Sequence, residues 1–319
     1  MPTRKISEED LVDLHGKVAL VTGGNTGIGY ATIQMLARKG AKVYMGARDQ
    51  GRAEAAIKQL ESEDINDGSV HWLKLNLSDP RAARAAAKEL LEKEKRLDIL
   101  VNNAAMGPTG ALKFDKNGLL DIMVINHFSP FVLTDTLLPL LKETARKSGT
   151  DVRIVNLASP AHSWAKPTTL STKEEINKDY GESTGSKLSA YGHSKLANIL
   201  HIKELQKRLN AASVPITCVA VDPGSVATQG VDTFLTSVPY FSWVLKNVLH
   251  PLVSVPWRQG AMSVAFAAAG KEVAGKRARY QGAYVVPIAA VGTPSSFAQD
   301  ERLQKELYDT TESIMAEFF

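Results

Sequence analysis

Apolar and polar positions between residues 17 and 221 follow two alternating patterns. Short apolar runs, "KVALVTG", "KVYMGA", "VHWLKL", "DILVNNA", "VRIVNLAS" and "ITCVAVDPG", are separated by longer stretches in which apolar residues recur every three or four positions, such as "GIGYATIQMLARKG", "RAARAAAKELLEKEKR" and "GLLDIMVINHFSPFVLTDTLLPLLKETARK". Apolar runs of that length suit strands buried on both faces, and the longer period suits amphipathic helices. The alternation predicts a Rossmann-type α/β fold, a doubly wound parallel sheet with helices on both faces. "GAYVVP" predicts a seventh strand. No repeat or linker interrupts the pattern, so a single domain is expected over 1–319. Its core is 17–224, a region at 225–290 shapes substrate binding and holds the last strand, and a C-terminal helix lies within 291–319. The polar stretch from Ala165 to Ser186 reads as a surface loop.

Composition narrows the function classes. A chain of 319 residues with 44% hydrophobic and 23% charged residues is a folded globular protein. The net charge of +4 is spread among both signs, so no basic stripe recommends nucleic acid. The single cysteine, Cys218 in "ITCVAV", reads as a buried strand thiol in a reducing compartment. The N-terminus lacks an apolar h-region, and no run approaches the roughly 18 apolar residues of a membrane span, so a cytoplasmic protein without a transmembrane segment is expected. The richest apolar window, Val238 to Trp257, is broken by Lys246, His250 and three prolines. A pocket lid, an interface between copies in a homo-oligomer and a membrane-surface contact remain open for it. His162, His193 and His201 stand at no metal-ligand spacing, so no metal is expected.

"VTGGNTGIG" follows the first strand and opens the first helix. Glycines allow a tight turn and close backbone approach to a pyrophosphate, whose charge the free amides and dipole of the helix start favour. Glycines alone also suit a plain strand-to-helix turn; the position after the first strand favours a dinucleotide. Gly23, Asn25, Thr26, Gly27, Ile28 and Gly29 are the candidate contacts. The second strand ends in "GARD", where an acidic residue would read a ribose 2′-hydroxyl and an arginine a 2′-phosphate. Arg48 therefore points to NADP(H) over NAD(H); the alternative is a solvated arginine at the helix start paired with Asp49. In "SAYGHSKLAN", Tyr191 and Lys195 are four apart on one helix face. That spacing occurs by chance in many helices and alone favours a structural pair over a catalytic one.

Together "TGGNTGIG", "NNAA", Asn126, Ser159, "YGHSK" and "DPGSVAT" stand in the order that resembles the short-chain dehydrogenase/reductase family, over nearly the whole chain. "NTGIG" with "SKLANIL" is most similar to the branch of retinol dehydrogenases and fungal carbonyl reductases. The resemblance implies nicotinamide dinucleotide binding and hydride exchange between an alcohol and its carbonyl. It assigns cofactor contacts to Asn76, Leu77, Asn102, Asn103, Ala104, Tyr191, Lys195, Pro223, Gly224, Val226 and Thr228. Two positions depart from the family pattern: Ala105 replaces the glycine of "NNAG", and Asn76 replaces an aspartate.

The resemblance makes Asn126, Ser159, Tyr191 and Lys195 the catalytic group. A free tyrosine titrates near 10, and an adjacent ammonium lowers that value, so Lys195 is expected to make the Tyr191 proton movable. Ser159, at the carboxyl end of "RIVNLAS", suits a donor to the substrate oxygen. Pro130 cannot donate to the Asn126 carbonyl, so a helix kink there is expected to free that carbonyl for a water in the family's proton relay to Lys195. A buried asparagine satisfied by helix neighbours explains Asn126 equally well. "FLTSVPYFSWVL" and "VLHPLVSVPW" suggest an apolar cavity for a bulky hydrophobic carbonyl or alcohol substrate, and core packing or a dimer contact accounts for the same residues. A catalytically silent NADP(H)-binding scaffold and an epimerase or dehydratase are the alternatives. The retained tyrosine and lysine argue against the first, and the glycine spacing argues against the second.

Overall fold

The computed structural model describes residues 6–224 and 257–319, apart from Asn66, Ser148 and Glu182. Strands β1 (Val18–Thr22), β2 (Lys42–Ala47), β3 (Ser69–Lys74), β4 (Ile99–Asn102), β5 (Val152–Leu157), β6 (Ile216–Val221), β7 (Ala283–Val286) and β8 (Ala290–Gly292) form one sheet. Their order is β3-β2-β1-β4-β5-β6-β7-β8. Every neighbouring pair is parallel except β7 with β8. The order reverses direction between β1 and β4, the crevice where open α/β sheets bind their ligands. The doubly wound fold read from the sequence is thus present. The antiparallel β8 was not foreseen, because three residues with two exposed carry no apolar run.

The described helices of more than two turns are α1 (Gly27–Arg38), α2 (Gln50–Ser62), α3 (Pro80–Lys93), α4 (Asp121–Ala145), α5 (Thr184–Ala211), α6 (Trp257–Ala269) and α7 (Glu301–Ala316). Their starts follow sequence chemistry: Asp49, Asp79, Ser183 and Asp300 each accept a backbone N–H of the first turn. Two apolar layers result, one on each sheet face. One joins α3, α4, α5 and α7 to the sheet, and the other joins α1, α2 and α6. Helix α7 turns Leu303, Leu307, Ile314 and Met315 inward against α5, each contributing about 1.5–3 kcal/mol by burial. Helix α4 is long and apolar enough to cross a bilayer, but 78% of its most apolar window is buried in this core.

Two expectations change here. The polar stretch from Ala165 to Ser186 is not all loop: a short helix, Lys173–Ile176, is closed by a Thr172/Glu175 capping box, and α5 already begins at Thr184. The irregularity expected at Pro130 takes the form of a π-helical turn over Val124–Phe128 inside α4. Because Pro130 offers no N–H, the ladder widens by one residue and the Ser129 N–H donates to the Val124 carbonyl. The apolar window Val238–Trp257 lies outside the described residues except for Trp257.

Arg153 on β5 is the largest fully buried side chain, 1% exposed. Its guanidinium donates to the carbonyls of Ala267 (3.1 Å) and Gly270 (2.9 Å) at the end of α6, and pairs with Asp151. It gives the Ala267 carbonyl, left over at the helix C-terminus, a donor and adds a second one to the Gly270 carbonyl, which also accepts the Ala274 N–H, and its charge suits that end of the dipole. Arg153→Met is expected to destabilise the protein by about 3 kcal/mol, since it strips partners from buried carbonyls, and to lower the urea midpoint at unchanged slope.

Candidate active site

The glycine turn sits at the carboxyl end of β1. Gly23 and Gly27 have φ of +65° and +57°, conformations that disfavour a side chain. Gly29 is required for a different reason: a Cβ there would lie 2.4 Å from the Gly23 carbonyl oxygen and 2.5 Å from Asn103 Nδ2. Thr22 and Asn103 lock the turn to β4. The Thr22 hydroxyl accepts from the backbone N–H groups of Asn103 and Ala104, both at 3.0 Å, while Asn103 Nδ2 donates to the carbonyls of Thr22 (2.8 Å) and Gly23 (3.2 Å). Thr26, the residue capping α1, is exposed and makes no side-chain bond to the helix amides. The start of a twelve-residue helix therefore keeps its donors for an anion, and this cradle fits a dinucleotide pyrophosphate. Asn25 and Ile28 flank it, both partly buried.

At the end of β2, Arg48 is exposed, and among the described residues nothing pairs with its guanidinium. Asp49 does not hold it; that carboxylate caps α2 through the Arg52 N–H at 2.8 Å. Asn76 is partly committed, its side-chain oxygen accepting from the Ser78 N–H (3.1 Å) and hydroxyl (2.8 Å). Its side-chain amide makes no hydrogen bond among the described residues, and the following Leu77 is buried.

Across the cleft, Ser159 lies two residues past β5 and opens a 3₁₀ turn, Pro160–Trp164. Its hydroxyl accepts from the Ala161 N–H at 3.2 Å and stands near enough to the Tyr191 phenol to favour the phenolate. Lys195, one helical turn beyond Tyr191, is 3% exposed. Its ammonium donates to the Leu157 carbonyl at 3.1 Å and lies 5.6 Å from the centroid of the Tyr191 ring. Asn126, within the π-helical turn, accepts from the Met106 N–H (2.6 Å) and donates to the Met106 carbonyl and the Ser194 hydroxyl, both at 2.9 Å. Two elements thus bring Ser159, Tyr191 and Lys195 together at the carboxyl edge of the sheet, and Asn126 fastens the loop after β4 to α5.

A profile of the short chain dehydrogenase family matches residues 17–169. A short-chain dehydrogenase/reductase of Armillaria gallica is 43% identical over 98% of this chain and 96% of its own. The chain belongs to the short-chain dehydrogenase/reductase family. Mouse retinol dehydrogenase 12 is 38% identical over 75% of this chain and 69% of its own, which sets this member of the family beside the retinol dehydrogenase-like branch. Among solved structures, an uncharacterised protein of Mycobacterium paratuberculosis superposes with a TM-score of 0.73 at 26% identity, covering 98% of both chains. The NADP complex of Pseudomonas aeruginosa RhlG superposes at 0.65 and 27%, covering 91% of this chain and 99% of that one.

Within this short-chain dehydrogenase/reductase, not every residue carried over faces the cleft. Asn102 is buried, and its amide donates to Thr134 (3.0 Å) and Asn156 (2.8 Å) inside the layer that holds α4. Its side-chain amide braces the sheet and is committed to those two bonds. Ala105 is exposed, whereas Ala104 packs tightly on Gly23. Asp222, Pro223 and Gly224 form a turn in which the Gly224 N–H donates to Asp222 at 2.8 Å. Val226 and Thr228 lie outside the described residues. Sequence reasoning missed Thr22 and Asn198. Asn198 donates at 2.9 Å to the same Leu157 carbonyl as Lys195, and its place three residues beyond Lys195 on one helix face was the available signal. Among the described residues, no group of three His, Cys, Asp or Glu side chains converges as a metal site.

Electrostatics corrects one more expectation. Desolvation pushes the Tyr191 phenol up to about 12, against the lowering effect of Ser159 and with a further rise from the Asp222 carboxylate. Lys195 does not offset that rise here, because its ammonium is turned to Leu157 and is itself costly to bury. Desolvation lowers Lys195 to about 8, partly countered by Asp222. A lysine whose folded value lies below its unfolded value destabilises the protein fully below pH 8. The penalty is relieved as pH climbs from about 8 to the ordinary lysine value of 10.5. Lys195→Met is therefore expected to stabilise the cofactor-free protein by about 2 kcal/mol at pH 7, a gain that shrinks towards pH 10 when denaturant midpoints are compared.

Proposed function

We propose that the protein is an NADP(H)-dependent oxidoreductase interconverting a ketone or aldehyde and its alcohol on a bulky apolar substrate. The observation that carries this reading is the juxtaposition of Ser159, Tyr191 and Lys195, with the Lys195 ammonium 5.6 Å from the Tyr191 ring, on the same carboxyl edge of the sheet as the glycine cradle. When bound, the nicotinamide supplies or accepts the hydride. The protein's task is then the proton. Tyr191, still protonated at neutral pH, donates it to the developing alkoxide in reduction, and its phenolate takes it back in oxidation. The Ser159 hydroxyl orients the substrate oxygen and bonds the phenolate that is left behind. Lys195 adds positive charge under the tyrosine ring and offers its remaining N–H donors to the cofactor ribose.

The exposed, unpartnered guanidinium of Arg48 supports a 2′-phosphate on that cofactor, as does similarity to a protein solved with NADP. Support for an apolar substrate comes from Trp164, 56% exposed, whose Cβ lies 3.4 Å from a side-chain position built at Gly192, next to Tyr191. Similarity to a retinol dehydrogenase points the same way.

The deciding experiment follows NADPH and NADH oxidation by the purified protein against a panel of apolar ketones and aldehydes. Tyr191→Phe is expected to lower kcat by roughly a hundred- to ten-thousand-fold with NADPH binding largely intact. Tight NADPH binding without turnover of any carbonyl sinks the enzymatic reading in favour of a silent nucleotide-binding protein. In the same assay, Arg48→Asp is expected to lower the NADPH-to-NADH ratio of kcat/KM by about tenfold or more, and an unchanged ratio removes Arg48 from cofactor selection.

A further inference from the structure

His162 follows Ser159 by three residues and is 3% exposed. Its Nδ1 lies 2.7 Å from the Ser159 carbonyl oxygen, which also accepts the His162 backbone N–H at 3.1 Å. On the other side of the ring, Nε2 lies 3.0 Å from the backbone nitrogen of Ser295, in the segment after β8. Because the Ser295 N–H can only donate, Nε2 must be the bare acceptor. The proton is then on Nδ1, where it meets the Ser159 carbonyl. The ring packs edge-on against Tyr284 of β7 at 5.1 Å, and the Tyr284 hydroxyl donates to Asp222 at 3.2 Å. Asp222 in turn holds the Gly224 N–H.

We propose that His162, as the neutral Nδ1–H tautomer, is a positioning residue that fixes Ser159 for its work on the substrate oxygen and ties it to the C-terminal strand pair. The proposal rests on the carbonyl-reducing reading of Ser159 and Tyr191. Ser159 stands beyond the end of β5, outside the sheet ladder, in an extended conformation at the entry of a 3₁₀ turn. Its side chain accepts a local backbone bond and meets Tyr191, so a small rotation of the residue redirects the hydroxyl. Two hydrogen bonds on its carbonyl, one from a ring that is itself held at its far end, oppose that rotation. Shifts of this size are enough to lower turnover without touching the substrate.

The two ring nitrogens can be tested separately. Asparagine carries an amide nitrogen near the Nδ1 position and nothing near Nε2; glutamine reaches the Nε2 position and leaves Nδ1 empty. His162→Gln is expected to lower kcat by roughly tenfold or more while the Ser295 amide stays protected from hydrogen exchange. His162→Asn is expected to restore most of that kcat while Ser295 exchanges at least about tenfold faster. His162→Leu should lose both. Imidazole ¹⁵N shifts of the wild-type protein report the tautomer without any turnover, and should give a protonated Nδ1 with a bare Nε2.

A protonated Nε2, or variants in which kcat and Ser295 protection fall together rather than crossing, overturns the proposal. If the wild-type protein reduces no carbonyl, the proposed function fails on its own account, and the tautomer and the Ser295 exchange still judge the positioning contacts. If turnover is present and the crossing pattern is missing, His162 alone loses its role.

Discussion

The bond pattern between Thr22 and Asn103 is the constraint on which the cleft depends. A parallel sheet ends in backbone groups whose ladder partners have run out, and at the point where the strand order reverses those groups must be satisfied by something other than a strand. Thr22, fully buried, accepts two N–H groups from the loop after β4, and Asn103 returns its amide to two carbonyls at the end of β1. The four bonds spend the polar groups of β1 and β4 on each other and leave the amides at the start of α1 facing outwards. The requirement for glycine at position 29 follows from the same closeness, since Asn103 Nδ2 occupies the space that a side chain would need. Cofactor geometry is thus set by a side chain on the neighbouring strand as much as by the glycines.

On the other wall, the dominating term is the cost of burying charge. Lys195 is held almost out of water with a carbonyl for its partner, and the price in stability is accepted where a cationic amine can act on a phenol and a ribose. The Tyr191 phenol is pushed upward, because both desolvation and the Asp222 carboxylate oppose the phenolate. A nicotinamide dinucleotide brings ribose hydroxyls for the ammonium and, when oxidised, a further positive charge near the phenol, so each group would move back towards the value its task requires.

Much of this was legible in the sequence. Six largely apolar runs marked six strands, most of them buried on both faces and the edge strand β3 alternating buried and exposed positions, and the glycine turn was visible because its positive φ values and close approach exclude other residues. The clustering of Ser159 with Tyr191, 32 positions apart in the numbering, followed only from the resemblance. What could not be read depends on partners distant in the chain. Asn102 looks the same whether it faces a cofactor or braces Thr134 and Asn156, and nothing local distinguishes the two. Arg153 reads as an exception in an apolar run until the end of α6 arrives more than a hundred residues later to use it. The π-helical turn was half legible: Pro130 announced a missing donor, but whether the chain kinks or widens is decided by what α4 packs against.

The same dependence on distant partners explains why the C-terminal third is part of the site rather than an appendage. β7 brings Tyr284 to Asp222, the segment after β8 brings Ser295 to His162, and both contacts end on residues adjoining the cleft. A parallel sheet fixes the ends of its strands well, but it does not fix loops that continue past those ends. Ser159 and Gly224 both lie in such loops, beyond β5 and β6. They are braced by the Tyr284 side chain of β7 and by the Ser295 backbone N–H, which the His162 side chain reaches out to meet. The edge-on contact of His162 with Tyr284 joins these two supports into one polar and aromatic bridge. Substitutions at the far edge of the sheet can consequently reach the chemistry through packing alone, with no residue of the substrate pocket altered.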